Sequence, residues 1–465
     1  MISCNRHYES VTYGVMTAPR SRYFRRNFTL GVITGALINL GMAFLDPFIV
    51  LPLFISKLGG SATLIGLVSA LHGVGWFFPQ VFASRLAETR RFLMPMYRGI
   101  SLFRILSLAG AALIVLTVDP EHTGLFLTGF LGLLFLAHLA GGFSAIPFLE
   151  VTSKTIPVTI RGRFFGTRRL IGGSAGIGVG VLVGLVLNRR EENLWMSGPF
   201  FDLLGPVAAR LGLLGREFPS DFGILFLLGA GCMTLGMLAF AFAGEPPAVA
   251  VQESARLLDH LRAGFKLIRR DANYRLFYLV RICWQFTAMT FPFYAVYAFT
   301  DLEFSENTVG LFLSLWLGAG VLSNYIWGKI LDRSGNKSVL LATAILSALP
   351  PAVVLVVDGM IRHSLEPASV KLLLVISTTF LVNGFIRSGR VISNITYLLE
   401  FAPENKRPLY VGFMNSFSFP FMLSPLLGGV ILQVFDIRIL FSISLAFALL
   451  NMVLSTGLKE PRVTK

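Results

Sequence analysis

The sequence predicts an all-α integral membrane protein in which twelve transmembrane helices form two pseudo-symmetric six-helix halves. Three observations support this fold class: a strongly apolar composition, twelve long apolar runs, and short motifs that recur in the second half of the chain. Together they define the number, the length and the grouping of the helices.

The composition indicates a chain that is embedded in lipid. Of its 465 residues, 54% are hydrophobic and 14% are charged, and the mean hydropathy is +0.70. A soluble globular protein carries about 25% charged residues. The three cysteines are too few and too scattered for a disulfide framework or a metal site. We therefore expect a polytopic membrane protein.

Twelve apolar runs are long enough to cross a bilayer, since a membrane helix needs about 20 predominantly apolar residues. The runs lie near residues 28–56, 62–84, 97–118, 123–150, 164–188, 221–244, 274–300, 307–331, 338–357, 369–399, 409–434 and 437–458. The longer runs must tilt or protrude from the bilayer.

Basic residues are concentrated on one side of the predicted membrane. Counting each loop with its flanking span ends, 28 of the 40 Lys and Arg residues lie on the side of the N terminus and 8 lie opposite. Because basic loops stay in the cytoplasm, we expect both termini there, in a multi-pass protein of the plasma or inner membrane. The net charge of +15 follows from this topology and does not indicate a nucleic-acid partner.

Three short motifs recur in the same order at nearly one offset. The pairs are residues 47–48 with 292–293, 61–67 with 305–311, and 157–166 with 403–412, at offsets of 245, 244 and 246. Six spans separate equivalent positions, so both halves have the same orientation in the membrane. The repeat predicts two halves related by an axis along the membrane normal, with a binding site between them.

These boundaries divide the chain into five parts. They are a cytoplasmic N-terminal tail at 1–27, a first six-helix half at 28–244, a cytoplasmic linker at 245–273, a second half at 274–458 and a cytoplasmic tail at 459–465. Residues 254–273 predict a basic amphipathic helix on the membrane surface. The loop at 189–220 predicts a short interfacial helix, which is either a surface helix or a lid.

A charged loop between the eighth and ninth runs has the spacing Gly328-x-x-x-Asp332-Arg333-x-Gly335-x-Lys337. Gly328 allows two helix ends to approach closely, and Gly335 allows a positive φ in the reversal. Asp332 can accept hydrogen bonds from a helix N terminus, and the basic residues mark the cytoplasmic face. The pattern resembles the signature loop of the major facilitator superfamily of secondary transporters.

The resemblance implies acids and bases that open and close the cytoplasmic face. Glu150 and Glu400 end the fourth and tenth spans, and the resemblance implies that they pair with the basic loops as state-dependent bridges. The expected bridges are Glu400 to Arg333, and Glu150 to Arg90 or Arg91. Alternatively, both acids are solvated helix-end carboxylates. The repeated arginines Arg161 and Arg407 complete the set of candidate gating residues.

Polar stripes within the second half are candidate substrate ligands, because ionisable groups inside a bilayer are costly unless they are partnered or wet. The tenth span carries Asn383, Arg387, Arg390 and Asn394 at helical spacing, and the seventh span repeats the spacing with Tyr274, Tyr278, Arg281 and Gln285. Alternatively, the arginines pair with an acid or extend to the cytoplasm, for which Arg281 and Arg390 are near enough.

The first half contributes a second set of polar residues. Candidate ligands are Asn39 in the first span and His72 and Trp76 in the second. Asp46 is the only carboxylate deep within a span, so it is either a proton carrier or the counter-ion of a buried arginine. Asp46-Pro47 also marks a possible break in the helix. His138 stands alone in the fourth span, and Arg104 is expected to extend to the inner surface.

We interpret the protein as a secondary active transporter of a small anionic or amphiphilic organic solute, working by alternating access. The alternatives are a broad-specificity exporter of drugs or hydrophobic compounds and, in another class, a membrane-embedded sensor or lipid-modifying protein on a similar scaffold. Enzyme motifs are absent from the sequence, so we expect neither catalysis nor a cofactor. The expected partners are the solute and the lipid bilayer, with protons as a candidate coupling ion, and we expect a monomer.

Overall fold

The computed structural model describes residues 23–118, 123–188, 199–247, 257–361, 368–403, 410, 413–414 and 418–462. Every regular element within these ranges is a helix, which confirms the all-α prediction. Arg407, Gly412 and Phe417 lie outside the described residues, as do most of the N-terminal tail and parts of the linker and of the loop at 189–220.

The first half and the linker contain the following helices: α1 Phe24–Phe44, α2 Val50–Lys57, α3 Ala62–Phe77, α4 Gln80–Glu88, α5 Met94–Thr117, α6 Thr123–Thr155, α7 Val158–Val186, α8 Pro199–Arg210, α9 Ser220–Ala241 and the linker helix α10 Leu257–Arg270. Helix α8 lies within the predicted interfacial segment. The linker helix lies within the predicted amphipathic segment and packs its Gly264 and Phe265 against Phe413.

The second half contains α11 Ala272–Thr287, α12 Phe291–Thr300, α13 Thr308–Leu346, α14 Leu349–Ile361, α15 Val370–Phe401, α16 Ser424–Val434 and α17 Ile437–Thr456. Short 3₁₀ turns precede α12 at Ala288–Thr290 and α16 at Phe419–Leu423.

Within the described ranges, nine helical stretches are individually long and apolar enough to cross a membrane. One of them, Thr308–Ile361, holds two crossings, because the backbone leaves the helical conformation at Gly335. Two more crossings are interrupted helices, formed by α11 with α12 and by the segment that ends in α16. The described helices therefore account for the predicted twelve spans.

The first span of each half breaks near an equivalent proline. In the first half, helix α1 ends at Phe44 and α2 begins at Val50, with Asp46-Pro47 between them. In the second half, the 3₁₀ turn Ala288–Thr290 precedes Pro292. Proline has no N–H to donate and crowds the preceding turn, so each span bends where its backbone is freed for other contacts.

The two halves pack together along small residues. Helix α7 of the first half packs on α13 of the second, and α3 packs on α16. A side chain at Gly180 or Gly310 would collide with the backbone of the facing helix, so glycine is needed for this close approach.

The two membrane faces differ in how the halves meet. We call the face where α1 begins and α17 ends the terminal face, and the other the opposite face. Three polar contacts join the halves at the opposite face: Lys57 Nζ to Glu306 Oε2 at 2.6 Å, Asn307 Nδ2 to Asn188 Oδ1 at 3.2 Å, and Thr63 Oγ1 to Gln433 Oε1 at 2.5 Å. At the terminal face, the described ion pairs Lys154–Glu245 and Arg462–Glu400 lie within one half.

Candidate functional site

A cavity of about 270 Å³ lies between the halves, near the middle of the spans. Its first-half wall comes from α3 and from Phe48 in the break after α1, and its second-half wall comes from α11, α15 and the segment before α16. The breaks in the first and seventh spans border this cavity at Phe48 and Phe291. The repeat therefore places the same structural irregularity on both sides of one site.

Three arginines line the cavity, and all come from the second half. The Arg387 guanidinium lies 5.9 Å from the centre of the Phe48 ring and 5.8 Å from that of Trp316. Arg390 lies 5.0 Å from the Trp284 ring and donates a hydrogen bond from Nη2 to Asn451 Oδ1 at 2.7 Å. Arg281 faces the same space from α11.

Arg390 keeps two polar atoms without a partner. Its side chain is only 2% exposed, yet Nε and Nη1 make no hydrogen bond in the described part of the chain. A buried cation with unmet donors costs several kcal/mol unless water or a ligand satisfies it. Because Arg390 borders the cavity, a bound acceptor there would meet this requirement.

Asp46 lies in the helix break beside this cluster. Its Oδ1 accepts hydrogen bonds from the backbone N–H groups of Phe48 and Ile49, both at 2.9 Å, so it holds the turn that precedes α2. The charge of Arg387 is near enough to interact with it, although no direct ion pair joins the two within the described residues. Asp46 thus offsets one positive charge at a distance.

Aromatic rings form the remainder of the wall. Phe48 meets Phe291 edge to face at a centroid distance of 5.7 Å, which joins the two helix breaks. Trp284 meets Phe291 at 5.8 Å, and Trp76 faces the cavity from α3. Such a site suits a ligand that has an apolar body and a few charged atoms.

Seven of the predicted ligands line this one cavity. They are His72, Trp76, Arg281, Gln285, Arg387, Arg390 and Asn394. Gln285 donates from Nε2 to the sulfur of Met422 at 2.6 Å, and Met422 is also in the wall.

Two predicted ligands do not line the cavity. Asn383 is 3% exposed and lies within the helix packing, one turn beyond the end of the cavity wall. Asn39 donates from Nδ2 to Gly35 O at 2.8 Å and packs against Gly172 of α7. Helical spacing places residues on one face, but it does not set how far along the helix the cavity extends.

His138, which stands alone in its span, contacts a histidine of another helix: its Nδ1 lies 3.4 Å from Nδ1 of His72. One other prediction from a single residue was wrong. Arg104 does not extend to the surface, because it is 3% exposed and lies against Gly141 of α6. Arg169 of α7 is not among the predicted ligands, although its charge interacts with that of Arg387. It stands just inside the predicted start of the span, where a basic residue reads as part of the cytoplasmic loop.

The signature loop turns as predicted at Gly335, where φ is 80°. The acid at the start of the next helix is Glu460 and not Asp332: Lys337 N donates to Glu460 Oε2 at 2.8 Å, and the Asp332 side chain is exposed. The expectation for Gly328 was also wrong, because a side chain there would meet no other atom within 4 Å. The carboxylate from the end of the chain occupies the position that the loop sequence assigns to its own aspartate.

The predicted gating acids have other neighbours in this structure. Glu400 pairs with Arg462 at 2.9 Å, and this carboxylate raises the pKa of Arg462 above its usual value. Within the described residues, no ion pair joins Glu150 to Arg90 or Arg91. Lys154, one turn after Glu150, pairs instead with Glu245 at 2.7 Å.

Arg161 holds the end of a helix. It donates from Nη2 to Ser153 O at 2.6 Å and from Nε to Ile156 O at 3.0 Å, which satisfies carbonyls at the end of α6. Among the described residues, no group of three or more His, Cys, Asp or Glu side chains could hold a metal ion.

A central cavity lies between two six-helix halves. Polar contacts join the halves at the opposite face, whereas the described ion pairs at the terminal face each lie inside one half. This arrangement defines the class of alternating-access membrane transporters. Residues 278–465 match the family model described as Major Facilitator Superfamily. This match covers the second half of the chain and confirms the resemblance drawn from the signature loop. The protein is a multi-pass membrane transporter.

Solved structures share the fold over nearly the whole chain. A variant of the nucleoside transporter NupG has a TM-score of 0.66 and 14% identity, covering 92% of this chain and 98% of its own. The D-xylose-proton symporter has the same TM-score and identity, covering 95% and 99%. A bacterial homologue of the human lysosomal transporter Spinster, inward-facing and unoccupied, has a TM-score of 0.61 and 11% identity, covering 94% and 96%. No curated protein sequence is significantly similar to this chain.

Proposed function

We propose that this transporter carries a small organic anion with an apolar body, bound in the central cavity by Arg281, Arg387 and Arg390. The observation that carries the proposal is the buried guanidinium of Arg390, a residue of the cavity wall whose Nε and Nη1 have no hydrogen-bond partner among the described residues. Arginine presents a planar set of donors that suits carboxylate or phosphate.

The balance of charge supports an anion over a cation. Asp46 is the one carboxylate near the cavity that the structure describes, and it can offset only one of the three lining arginines. Arg169 and Arg104 add further positive charge nearby. In a site of low dielectric constant, a cation would be repelled and an anion attracted. Asp46 itself is either this counter-ion or a proton carrier.

Transport would follow from rocking of the two halves about the cavity. The halves are joined at the opposite face, so this state would be open toward the terminal face. We assign the terminal face to the cytoplasm of a plasma- or inner-membrane protein, because the basic loops lie there. The orientation can be tested with Gly205→Cys in α8, in a background without Cys4, Cys232 and Cys283. An impermeant reagent should label it in intact cells, and labelling only after permeabilisation would reverse the assignment.

The ligand can be sought by thermal unfolding of the purified protein with organic anions, sugars and hydrophobic cations, because a ligand stabilises the state that it binds. We expect anions to raise Tm. Arg387→Lys should weaken their binding although it keeps the charge, and Arg387→Gln should weaken it further, by about 10- to 100-fold, the loss of one charge-assisted hydrogen-bonded pair. Arg90→Gln, at an exposed position outside the cavity, is the matched control.

A second candidate is a broad-specificity exporter of hydrophobic compounds, which the rings of Phe48, Trp76, Trp284 and Phe291 favour. The same measurement separates the two. Stabilisation by hydrophobic cations, with affinity for anions unchanged in Arg387→Gln, would support the exporter and remove the anion proposal.

A further inference from the structure

Two histidines of the first half form a contact at the cavity wall. His72 of α3 lines the cavity, and its Nδ1 lies 3.4 Å from Nδ1 of His138 on α6. The rings are perpendicular, with centroids 4.8 Å apart. Gly75 lies one turn from His72, and a side chain there would collide with His138, so the two helices approach closely beside this pair.

The hydrogen bonding of this pair is incomplete. Only one of the two facing Nδ1 atoms can carry the proton of their hydrogen bond, so a neutral pair has one donor and one acceptor there. His138 is 4% exposed, and its Nε2 makes no hydrogen bond in the described part of the chain. One added proton makes both nitrogens of one ring donors, so a protonated His72 would donate from Nδ1 to His138 and keep an Nε2–H for an acceptor bound in the cavity that this residue lines. The pair can therefore store a proton and present a donor to the ligand.

The charged surroundings make that proton conditional on a ligand. Helix α6 presents His138 to His72, and α15 presents Arg387 across the cavity. The break after α1, which α3 contacts through Ser69 and Pro47, carries Asp46, whose Oδ1 is held by backbone N–H groups. Arg104 of α5 lies behind His138, with Tyr97 of the same helix beside it. Flanking arginines oppose a third positive charge while the cavity is empty.

We propose that His72 and His138 form a proton-binding site that fills together with the anionic substrate, so that the protein carries an anion and a proton as a pair. The inference rests on the proposed function. An anion among the cavity arginines offsets their charge and places an acceptor before His72, so the protonated imidazole becomes favourable. By linkage, the proton strengthens anion binding by the same factor.

Asp46 is the competing site for the coupled proton. It lacks the features of the histidine pair, because its Oδ1 already accepts two backbone hydrogen bonds that favour the ionised form. The pair, in contrast, has an unmet nitrogen and a ring that reaches the cavity. Proton uptake in Asp46→Asn therefore separates the two sites.

The experiment measures proton uptake by weakly buffered, purified protein when benzoate, phenylacetate, phenyl phosphate or succinate is added to saturation, with a pH indicator in solution. We expect uptake of about one proton per bound anion, and an affinity that falls by up to about tenfold per pH unit as pH rises. His72→Gln should abolish uptake and leave an affinity that does not vary with pH. His138→Gln, which leaves the cavity wall intact, should reduce both effects.

Controls make the outcomes distinguishable. His260→Gln, in the linker helix, should behave as wild type, and Asp46→Asn should retain uptake. If none of these anions binds, the proposed function fails. If they bind without proton uptake, or if uptake survives in both His72→Gln and His138→Gln, the histidine proposal alone is overturned. Uptake lost in Asp46→Asn and kept in His72→Gln would assign the proton to Asp46.

Discussion

At the terminal face, each half makes the same contact between its last span and its third span. The ion pair beside this contact, however, has its charges reversed between the halves. Each half ends its last span with a Glu-Pro pair, at Glu245 and Glu460, four residues after α9 and α17 end. Glu245 accepts hydrogen bonds from Leu93 N and Met94 N at the start of the third span. Glu460 accepts one from Lys337 N at the start of the ninth. In each half, the segment that follows the last helix thus binds the start of the third span.

The difference lies in the ion pair beside each acid. In the first half, Glu245 pairs with Lys154. The repeat offset of 246 relates Lys154 to Glu400, which pairs with Arg462 of the C-terminal tail. This position is therefore basic at the end of the fourth span and acidic at the end of the tenth. In each half, the segment after the last span supplies the opposite charge.

The pairs also differ in burial, and burial decides their strength. The side chains of Lys154 and Glu245 are 18% and 2% exposed, whereas those of Arg462 and Glu400 are 39% and 30% exposed. When a buried carboxylate is removed by substitution, its partners are left buried and unpaired, which is costly. An exposed ion pair contributes less, because water and salt screen its charges. Both halves therefore keep an ion pair between the segment after the last span and the end of the fourth or tenth span. Burial sets the strength of this pair separately in each half.

Glu245→Gln should have the largest effect, because one buried carboxylate serves two backbone donors and Lys154. We expect the free energy of unfolding to fall by about 2–4 kcal/mol. Thermal and denaturant unfolding of the purified protein would measure it. Glu150→Gln, which alters the exposed acid expected from the sequence to form a bridge, is the control and should change stability by less than about 0.5 kcal/mol. Equal losses in the two variants would contradict the assignment.

Glu460→Gln should have an intermediate effect. The carboxylate caps one N–H of the ninth span, and such a cap contributes about 1 kcal/mol. Its oxygens also lie against Gly335, where a side chain would collide with them. Asp332→Asn is the matched control, because this residue is the cap expected from the loop sequence and is exposed in the structure. A loss in Asp332→Asn that exceeds the loss in Glu460→Gln would return the capping role to the loop.

These two cases show which parts of the structure a sequence predicts. The twelve spans, the broken first helix and the turn at Gly335 follow from apolar length, proline and glycine, which act on their own neighbourhood. Seven cavity residues also followed from the spacing of polar residues on a helix face. The capping acids did not, because Glu245 and Glu460 reach residues more than 100 positions away.

The histidine contact was missed for a related reason. His72 and His138 stand in different helices, and the sequence offers His72 as a ligand and His138 as a lone histidine with nothing that joins the two. Only the close approach of α3 and α6 at Gly75 brings them together. The equivalence of Lys154 and Glu400 does not show in the sequence for another reason: this position keeps its contact and reverses its charge.

Arg462→Gln should have the smallest effect, and it tests whether burial sets the difference between the halves. Arg462 donates to Glu400 and, from Nη1, to Leu331 O at 2.9 Å, so it joins the tail to the ends of the eighth and tenth spans. An exposed pair of this kind contributes less than about 1 kcal/mol, and a cation at a helix C terminus adds a few tenths more. We therefore expect a fall in the free energy of unfolding of about 1 kcal/mol or less, which shrinks further when salt is raised because surface charges are screened.

Arg333→Gln, at the partner that the family resemblance implies for Glu400, is the control and should be nearly neutral in this state. Unfolding at low and high salt would measure both variants beside Glu245→Gln. A loss of stability in Arg462→Gln that is as large as that in Glu245→Gln, and insensitive to salt, would show that the exposed ion pair is as strong as the buried one. It would contradict the conclusion that burial sets the difference between the halves.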